Sequence, residues 1–369
     1  MPSSCEDPLF HGIAMQSSGN EQLPVQAACE RTKFARPAYP SDATVARTAI
    51  VLFVSNAAVL ARFSDSGNFL TWDEYLLGPQ EVAVIFYPAE MAALRSNLAT
   101  SLSLQLCKTT RPAGKVAKNC ESWTTGRGNS LLTCAAAVDV PASYGHNLTG
   151  ARQTHLPTFC GVGTTGEYVV ATKWYTLPML AEPILRTFDY WAKIDVDVCF
   201  RTSMKLTHTL VKSGSWFVHT RLQQDNEACE RSLGQFMSQY TKDHGCCATP
   251  EALLWRESSP HLPQAVYANF VAGWLGFWQS DQLLYFARQW HAWEGGWRYR
   301  WTDQQFWMPA LRVTNVSEER ITFLPNLRYR VFEHTKAAGY CLAPRPRRNA
   351  SAPRKVLSAS GHWVLPASR

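Results

Sequence analysis

An unbroken apolar run, Thr48-Ala-Ile-Val-Leu-Phe-Val-Ser55, restricts the fold of this chain more than any other stretch. It lacks the alternation of a strand with one wet face and matches a strand covered on both sides. Residues 56–63 then read as a helix, Glu81-Val-Ala-Val-Ile-Phe-Tyr87 repeats the buried-strand pattern, and residues 89–98 read as a second helix. Strand–helix–strand–helix order predicts an α/β sheet, mixed but mostly parallel, with right-handed crossovers and helices on its faces. Such sheets bind ligands beyond the carboxyl ends of their strands. The apolar fraction of 46% and charged fraction of 18% are enough for one large core. We therefore expect a single large domain over residues 46–341, preceded by a flexible polar lead-in (1–45) and followed by a basic disordered tail (342–369).

The second constraint is Phe188-Asp-Tyr-Trp-Ala-Lys-Ile-Asp-Val-Asp-Val-Cys-Phe200, an apolar strand running into Asp195 and Asp197. In extended backbone, residues two apart share a face, so both carboxylates are expected to meet one hard cation. Mn²⁺ or Mg²⁺ held through two carboxylates keeps positions open for phosphate oxygens, which suits a nucleotide-diphosphate donor. A surface Asp-x-Asp also arises by chance, and the tripeptide alone does not decide between the two.

Further along, Asn269-Phe-Val-Ala-Gly-Trp-Leu-Gly-Phe-Trp-Gln-Ser-Asp281 reads as an apolar, glycine-containing turn near a ligand. A helix is predicted over 282–293. The next turn presents Arg300, Trp301, Asp303 and Gln304, a carboxylate with amide and arginine neighbours suited to sugar hydroxyls or to taking an acceptor proton. The plainer alternative is a surface loop in which Asp303 caps a helix. Elsewhere, residues 174–187 read as a helix broken by Pro178 and Pro183, and residues 225–240 as a helix with Cys229, Leu233, Phe236 and Tyr240 on one side. Residues 107–135 read as an inserted basic loop. Fourteen tryptophans are read mainly as core.

Several function classes lose support. Gly161-Val-Gly-Thr-Thr-Gly166 fits the dinucleotide fingerprint but lacks a strand before it, and Tyr168–Thr172 after it reads as strand, so a turn is expected there. Neither a Gly-x-Ser-x-Gly elbow, a Walker Gly-Lys-Ser/Thr nor His-Glu-x-x-His occurs. The net charge of +7 is concentrated in the tail, where Arg345, Arg347, Arg348, Arg354, Lys355 and Arg369 stand without an acid. The remainder is close to neutral, so no nucleic-acid-binding face is implied. Eleven dispersed cysteines fit scattered disulfides or buried thiols, and His244-Gly-Cys-Cys247 is read as structural rather than metal-binding. No transmembrane run and no signal peptide are evident, while the sequons Asn147-Leu-Thr, Asn315-Val-Ser and Asn349-Ala-Ser point toward a secretory lumen.

Three segments carry a family resemblance. Tyr190-Trp-Ala-Lys-Ile-Asp-Val-Asp197, Asn269-Phe-Val-Ala-Gly-Trp-x-x-Phe-Trp-Gln-Ser280 and Gly295-Gly-Trp-Arg-Tyr-Arg-Trp-Thr-Asp303 resemble, in order and spacing, motifs of the fungal Golgi α-1,2-mannosyltransferases, the Kre2/Mnt1-like group called glycosyltransferase family 15. The match covers about residues 160–335. It implies a GT-A (Rossmann-like) fold, a Mn²⁺-dependent nucleotide-sugar donor and transfer to a hydroxyl of a glycan or glycoprotein in the Golgi or endoplasmic reticulum. Carried over residue by residue, Asp195 falls on the family's metal-binding Glu and Asp197 on the end of that motif. Asp303 falls on a candidate base, and His334 lies about three positions from a metal-touching His. Asn269, Gly273, Arg300, Trp301 and Gln304 fall within the donor and sugar motifs. Two departures stand out: the family's Glu in Asn-Phe-Glu is Val271, and the Asp after Gly is Trp274. Val271 can neither attack nor accept a proton, so the resemblance leaves two outcomes: a transferase using another route, or a catalytically inactive carbohydrate- or nucleotide-binding protein on the same scaffold.

Overall fold

The computed structural model describes residues 39–65, 67–106, 119–154, 165–200, 202–223, 232–243, 265–299, 301–314, 316–324, 329–331, 356–357 and 363–364. The apolar runs become the strands β1 (Thr48–Phe53) and β2 (Glu81–Pro88), buried along their whole length. Between and after them come helices α1 (Ala57–Asp65), α2 (Asn68–Tyr75) and α3 (Ala92–Ser101). β3 (Gln105–Leu106), β4 (Cys120–Thr124) and β5 (Ser130–Ala136) follow, then α4 (Leu148–Gln153), α5 (Gly166–Trp174) and the short α6 (Pro178–Ala181). The second half holds β6 (Tyr190–Ile194), β7 (Val198–Phe200), α7 (Leu206–Ser213), β8 (Phe217–His219), β9 (Leu222–Gln223) and α8 (Leu233–Asp243). It continues with β10 (Ala265–Val266), β11 (Phe270–Trp274), α9 (Leu275–Trp278), α10 (Asp281–Ala292), α11 (Glu294–Arg298), α12 (Asp303–Val313), β12 (Ile321–Phe323) and β13 (Tyr329–Val331).

Nine strands form one mixed sheet in the order β12-β8-β11-β6-β1-β2-β5-β4-β3. Its centre, β6-β1-β2-β5, is parallel, and β11 runs antiparallel between β6 and β8. The predicted α/β sheet with helices on its faces is thus the observed architecture. The register places Val51, Lys193, Val271, His219 and Phe323 side by side across β1, β6, β11, β8 and β12, so all five share one face. Trp191, two residues before Lys193, lies on the same face and packs on Trp278 and Trp307, with ring centroids at 5.7 and 5.1 Å. Helices α9 and α12 therefore cover this face. Seven tryptophans are buried to under 2% exposure, which makes them core, as expected.

Three local expectations are corrected. Of the loop expected over 107–135, residues 107–118 lie outside the described residues and 119–136 form a β-hairpin, in which Cys120 and Cys134 are cross-strand partners joined by a disulfide. Tyr168–Thr172 lies in helix α5, because Val169, Val170, Lys173 and Trp174 face inward at helical spacing. A helix, not the expected strand, thus follows the Gly161–Gly166 run directly, and residues 155–164, on which the expected turn falls, lie outside the described residues. The supposed turn after Asn269 is β11, a central, fully buried strand. Tyr39, within the expected lead-in, packs on Trp274 and donates to the Leu210 carbonyl at 2.8 Å. In the tail, Val356–Leu357 and Trp363–Val364 pair as two short strands. The sequon Asn147 is exposed and caps α4 by accepting from the Gly150 N–H, whereas Asn315, Asn349, Cys229 and the His244–Cys247 cluster lie outside the described residues.

Candidate active site at the end of the sixth strand

β6 ends at Ile194, and the chain turns at once. Val198 N–H donates to the Asp195 carbonyl at 3.0 Å, closing a β-turn with Val196 and Asp197 at its centre. The two aspartates thus sit on a turn, not along an extended strand as expected. Three neighbours fix that turn. Asn68 Nδ2 of α2 donates to the Val196 carbonyl at 2.6 Å, and Trp72 Nε1 donates to the Val198 carbonyl at 2.8 Å. Asp195 N–H donates to the Asn269 carbonyl at 3.0 Å.

Asp195 and Asp197 still act on one another. Burial first, and then the charge of Asp195, push the Asp197 carboxyl up to about 6, against the weaker pull of its own backbone N–H, Arg62 and Lys193. Asp197 Oδ1 is buried and accepts no hydrogen bond. A buried, unpartnered carboxylate oxygen beside a second carboxylate is the arrangement a cation would satisfy.

Behind Asp195 lies a group that the sequence reading overlooked. Lys193 is 3% exposed, and its Nζ lies 2.7 Å from Asp195 Oδ1, 2.9 Å from Asp303 Oδ2 and 2.6 Å from the Ala268 carbonyl. The Tyr175 ring lies 4.9 Å from the ammonium. Burial alone pushes the Lys193 pKa down. The charges of Asp195 and Asp303 outweigh burial and hold its pKa above the usual lysine range. A lysine inside the otherwise apolar Tyr190–Ile194 run was the available signal, because a cation at a buried strand position requires an acidic partner.

Asp303 was expected on an exposed turn or as a helix cap, and it is neither. It is the first residue of α12 and is 1% exposed. Thr302 is the cap, its side chain accepting from Gln304 N–H while Gln305 Oε1 accepts from Thr302 N–H. Burial raises the Asp303 carboxyl and Lys193 lowers it, with the net shift upward. The carboxylate lies at the favourable positive end of the helix.

The remaining residues divide clearly. Asn269 is buried and presents its carbonyl to the Asp195 turn. Gln304 accepts from Gln223 Nε2 at 2.9 Å and is partly exposed. Trp301, expected at a sugar surface, is fully buried 4.6 Å from Trp290. Gly273 is buried under Trp278: a Cβ there would sit 2.2 Å from the indole Nε1, so packing accounts for the glycine. Arg300 and His334 lie outside the described residues. Among the described residues, no group of three His, Cys, Asp or Glu side chains gathers around one point, so the protein offers a cation two carboxylates here.

A second polar group, remote from this turn in sequence, is buried with no counter-charge among the described residues. Lys173 of α5 is fully buried, its Nζ has no hydrogen-bond partner, and it lies 4.5 Å from the Trp297 ring centre. Burial lowers its pKa to about 7.

No known family profile matches the sequence, and no curated protein matches it at a significant level. Solved structures do match in fold. The mannosyltransferase Ktr4p from S. cerevisiae superimposes with a TM-score of 0.56 at 12% identity, over 87% of this chain and 84% of its own. Its complex with GDP gives 0.56 over 91% and 86%, also at 12% identity. Core-mannan synthase A from Aspergillus fumigatus, in a Mn/GDP form, gives 0.53 at 12% identity over 88% and 83%. At such identity the likeness establishes the fold: this chain has the α/β, GT-A architecture of glycosyltransferases, mannosyltransferases among them.

Proposed function

We propose that the chain is a glycosyltransferase that moves a sugar, mannose being the first candidate, from a nucleoside-diphosphate donor to a hydroxyl of a glycan or glycoprotein. One observation carries this reading: the turn after β6 brings Asp195 and Asp197 together, with a buried, unsatisfied Asp197 oxygen, at the carboxyl end of a central parallel strand. The Mn/GDP and GDP forms of two structural neighbours support a metal and a nucleotide donor as ligands of this fold.

The residues present fit a divalent cation. Lys193 and the carboxylates of Asp195, Asp197 and Asp303 carry a formal charge of −2 between them, which one such ion neutralises. Asp195 and Asp197 would hold Mn²⁺ or Mg²⁺, leaving its other positions to diphosphate oxygens and water. When bound, the ion stabilises negative charge on the departing diphosphate.

Buried as it is, Asp303 serves in this reading to anchor Lys193, not to touch the acceptor. Val271, with no exposed surface, supplies no nucleophile. The reaction we propose is a front-face displacement. The anomeric carbon–phosphate oxygen bond breaks, the acceptor oxygen bonds to that carbon from the same side, and the hydroxyl proton passes to the departing phosphate oxygen. The disulfide at Cys120–Cys134, with Cys199 also disulfide-bonded, supports an oxidising lumen as the compartment. No helix among the described residues is long and apolar enough to cross a membrane.

The test is incubation with a panel of nucleotide sugars and manno-oligosaccharide acceptors, reading release of GDP or UDP. Metal-dependent release supports the proposal. Nucleotide binding without release across the panel would favour the second reading, a non-catalytic binder, which Val271 motivates.

A further inference from the structure

Among the described residues, Lys193 is the one buried cation whose contacts reach both the donor-side turn and the helix opposite it. Lys193 Nζ donates to the Ala268 carbonyl and forms ion pairs with Asp195 Oδ1 and Asp303 Oδ2, the last by proximity of charge and not by a hydrogen bond. These belong to three separate pieces of chain, namely the turn after β6, the residue before Asn269 at the start of β11, and the first turn of α12. We infer that Lys193 is the positioning residue of the metal–diphosphate seat. By gripping one oxygen of Asp195 it turns the other toward the cation, and through Asp303 it ties α12 to that turn. The inference rests on the function proposed above and adds a residue that neither the motif spacing nor the fold likeness assigns.

Charge and geometry make opposite demands here, which is what makes the inference testable. By charge alone, an ammonium against a ligand carboxylate repels a divalent ion, so deleting it should tighten ion binding. By geometry, Asp195 is one-third exposed and reaches a fixed orientation only through Lys193 and its own backbone. Loss of a partner that orients a metal ligand typically weakens metal affinity by about 10–100-fold. The sign of the change separates the two.

The experiment titrates Mn²⁺ into the full chain, with and without GDP, and reads free Mn²⁺ by electron paramagnetic resonance. Wild type is compared with Lys193→Met and Lys193→Arg, each checked for folding by circular dichroism. The expected result is affinity about 10–100-fold weaker in Lys193→Met and an intermediate loss in Lys193→Arg. Equal or tighter binding in Lys193→Met would overturn the inference while leaving the proposed function standing. Absence of Mn²⁺ binding in wild type would instead remove the proposed function, and this inference with it. Should Lys193→Met fail to fold, Lys193→Arg decides: a several-fold loss at unchanged charge supports positioning, and unchanged affinity overturns it.

Discussion

Replacing Lys173 with methionine should make this protein more stable, and the gain should depend on pH in a defined way. The lysine is fully buried, has no carboxylate or carbonyl partner among the described residues, and has its pKa lowered by burial from 10.5 to about 7. Because the unfolded chain holds this proton more tightly than the folded one, folding is opposed. The penalty is complete below the folded value near 7 and vanishes as pH rises toward the unfolded value near 10.5. A shift of that size corresponds to about 5 kcal/mol at its fullest. The contact with Trp297 returns roughly 1–2 kcal/mol. Methionine keeps the apolar stem and removes the charge, so Lys173→Met should gain about 3 kcal/mol near pH 7. The assay is urea unfolding of both proteins from pH 6.5 to 9.5. Wild type should gain stability between pH 7 and 9, with a slope of up to about 1.4 kcal/mol per pH unit from this group, and the gap to Lys173→Met should close. A Lys173→Met variant less stable than wild type at pH 7, or a gap that does not narrow with pH, would refute the reasoning.

Three further outcomes follow from packing and covalent structure. Gly273→Ala would drive a methyl into the Trp278 indole and break its 2.8 Å bond to the Trp216 carbonyl, so a loss of about 3 kcal/mol or more is expected in thermal unfolding. Cys120→Ser opens a disulfide spanning 14 residues and should cost about 3 kcal/mol in urea unfolding. Thr302→Ala removes the hydroxyl of the α12 capping box and should cost about 1 kcal/mol, read as a small fall in melting temperature.

The sheet was legible in the sequence wherever burial was two-sided. Runs such as Thr48–Ser55 and Glu81–Tyr87 have only one way to satisfy their backbone while remaining dry, and they became β1 and β2. Legibility failed where short segments carried mixed signals. Gly273 suggested a turn, but it is a strand residue shaved to admit the Trp278 ring. Val169 and Val170 suggested a strand, but the helical spacing of Lys173 and Trp174 against the core prevailed. At the site, Asp195 and Asp197 could be singled out because the chain runs from apolar strand to paired acids. Their turn geometry could not, since it depends on Asn68 and Trp72, more than a hundred residues away. Asp303 was found through its motif, but its burial was not, because only the folded chain brings Lys193 to meet it.

The most direct measurement of the central claim is calorimetric binding of GDP and UDP to wild type and Asp195→Ala, with Mn²⁺ and then with chelator. The account predicts that wild type binds one of these nucleotides only when Mn²⁺ is present, and that Asp195→Ala, though folded, loses that binding. Equal nucleotide affinity with and without the metal, or in the variant and the wild type, would contradict it.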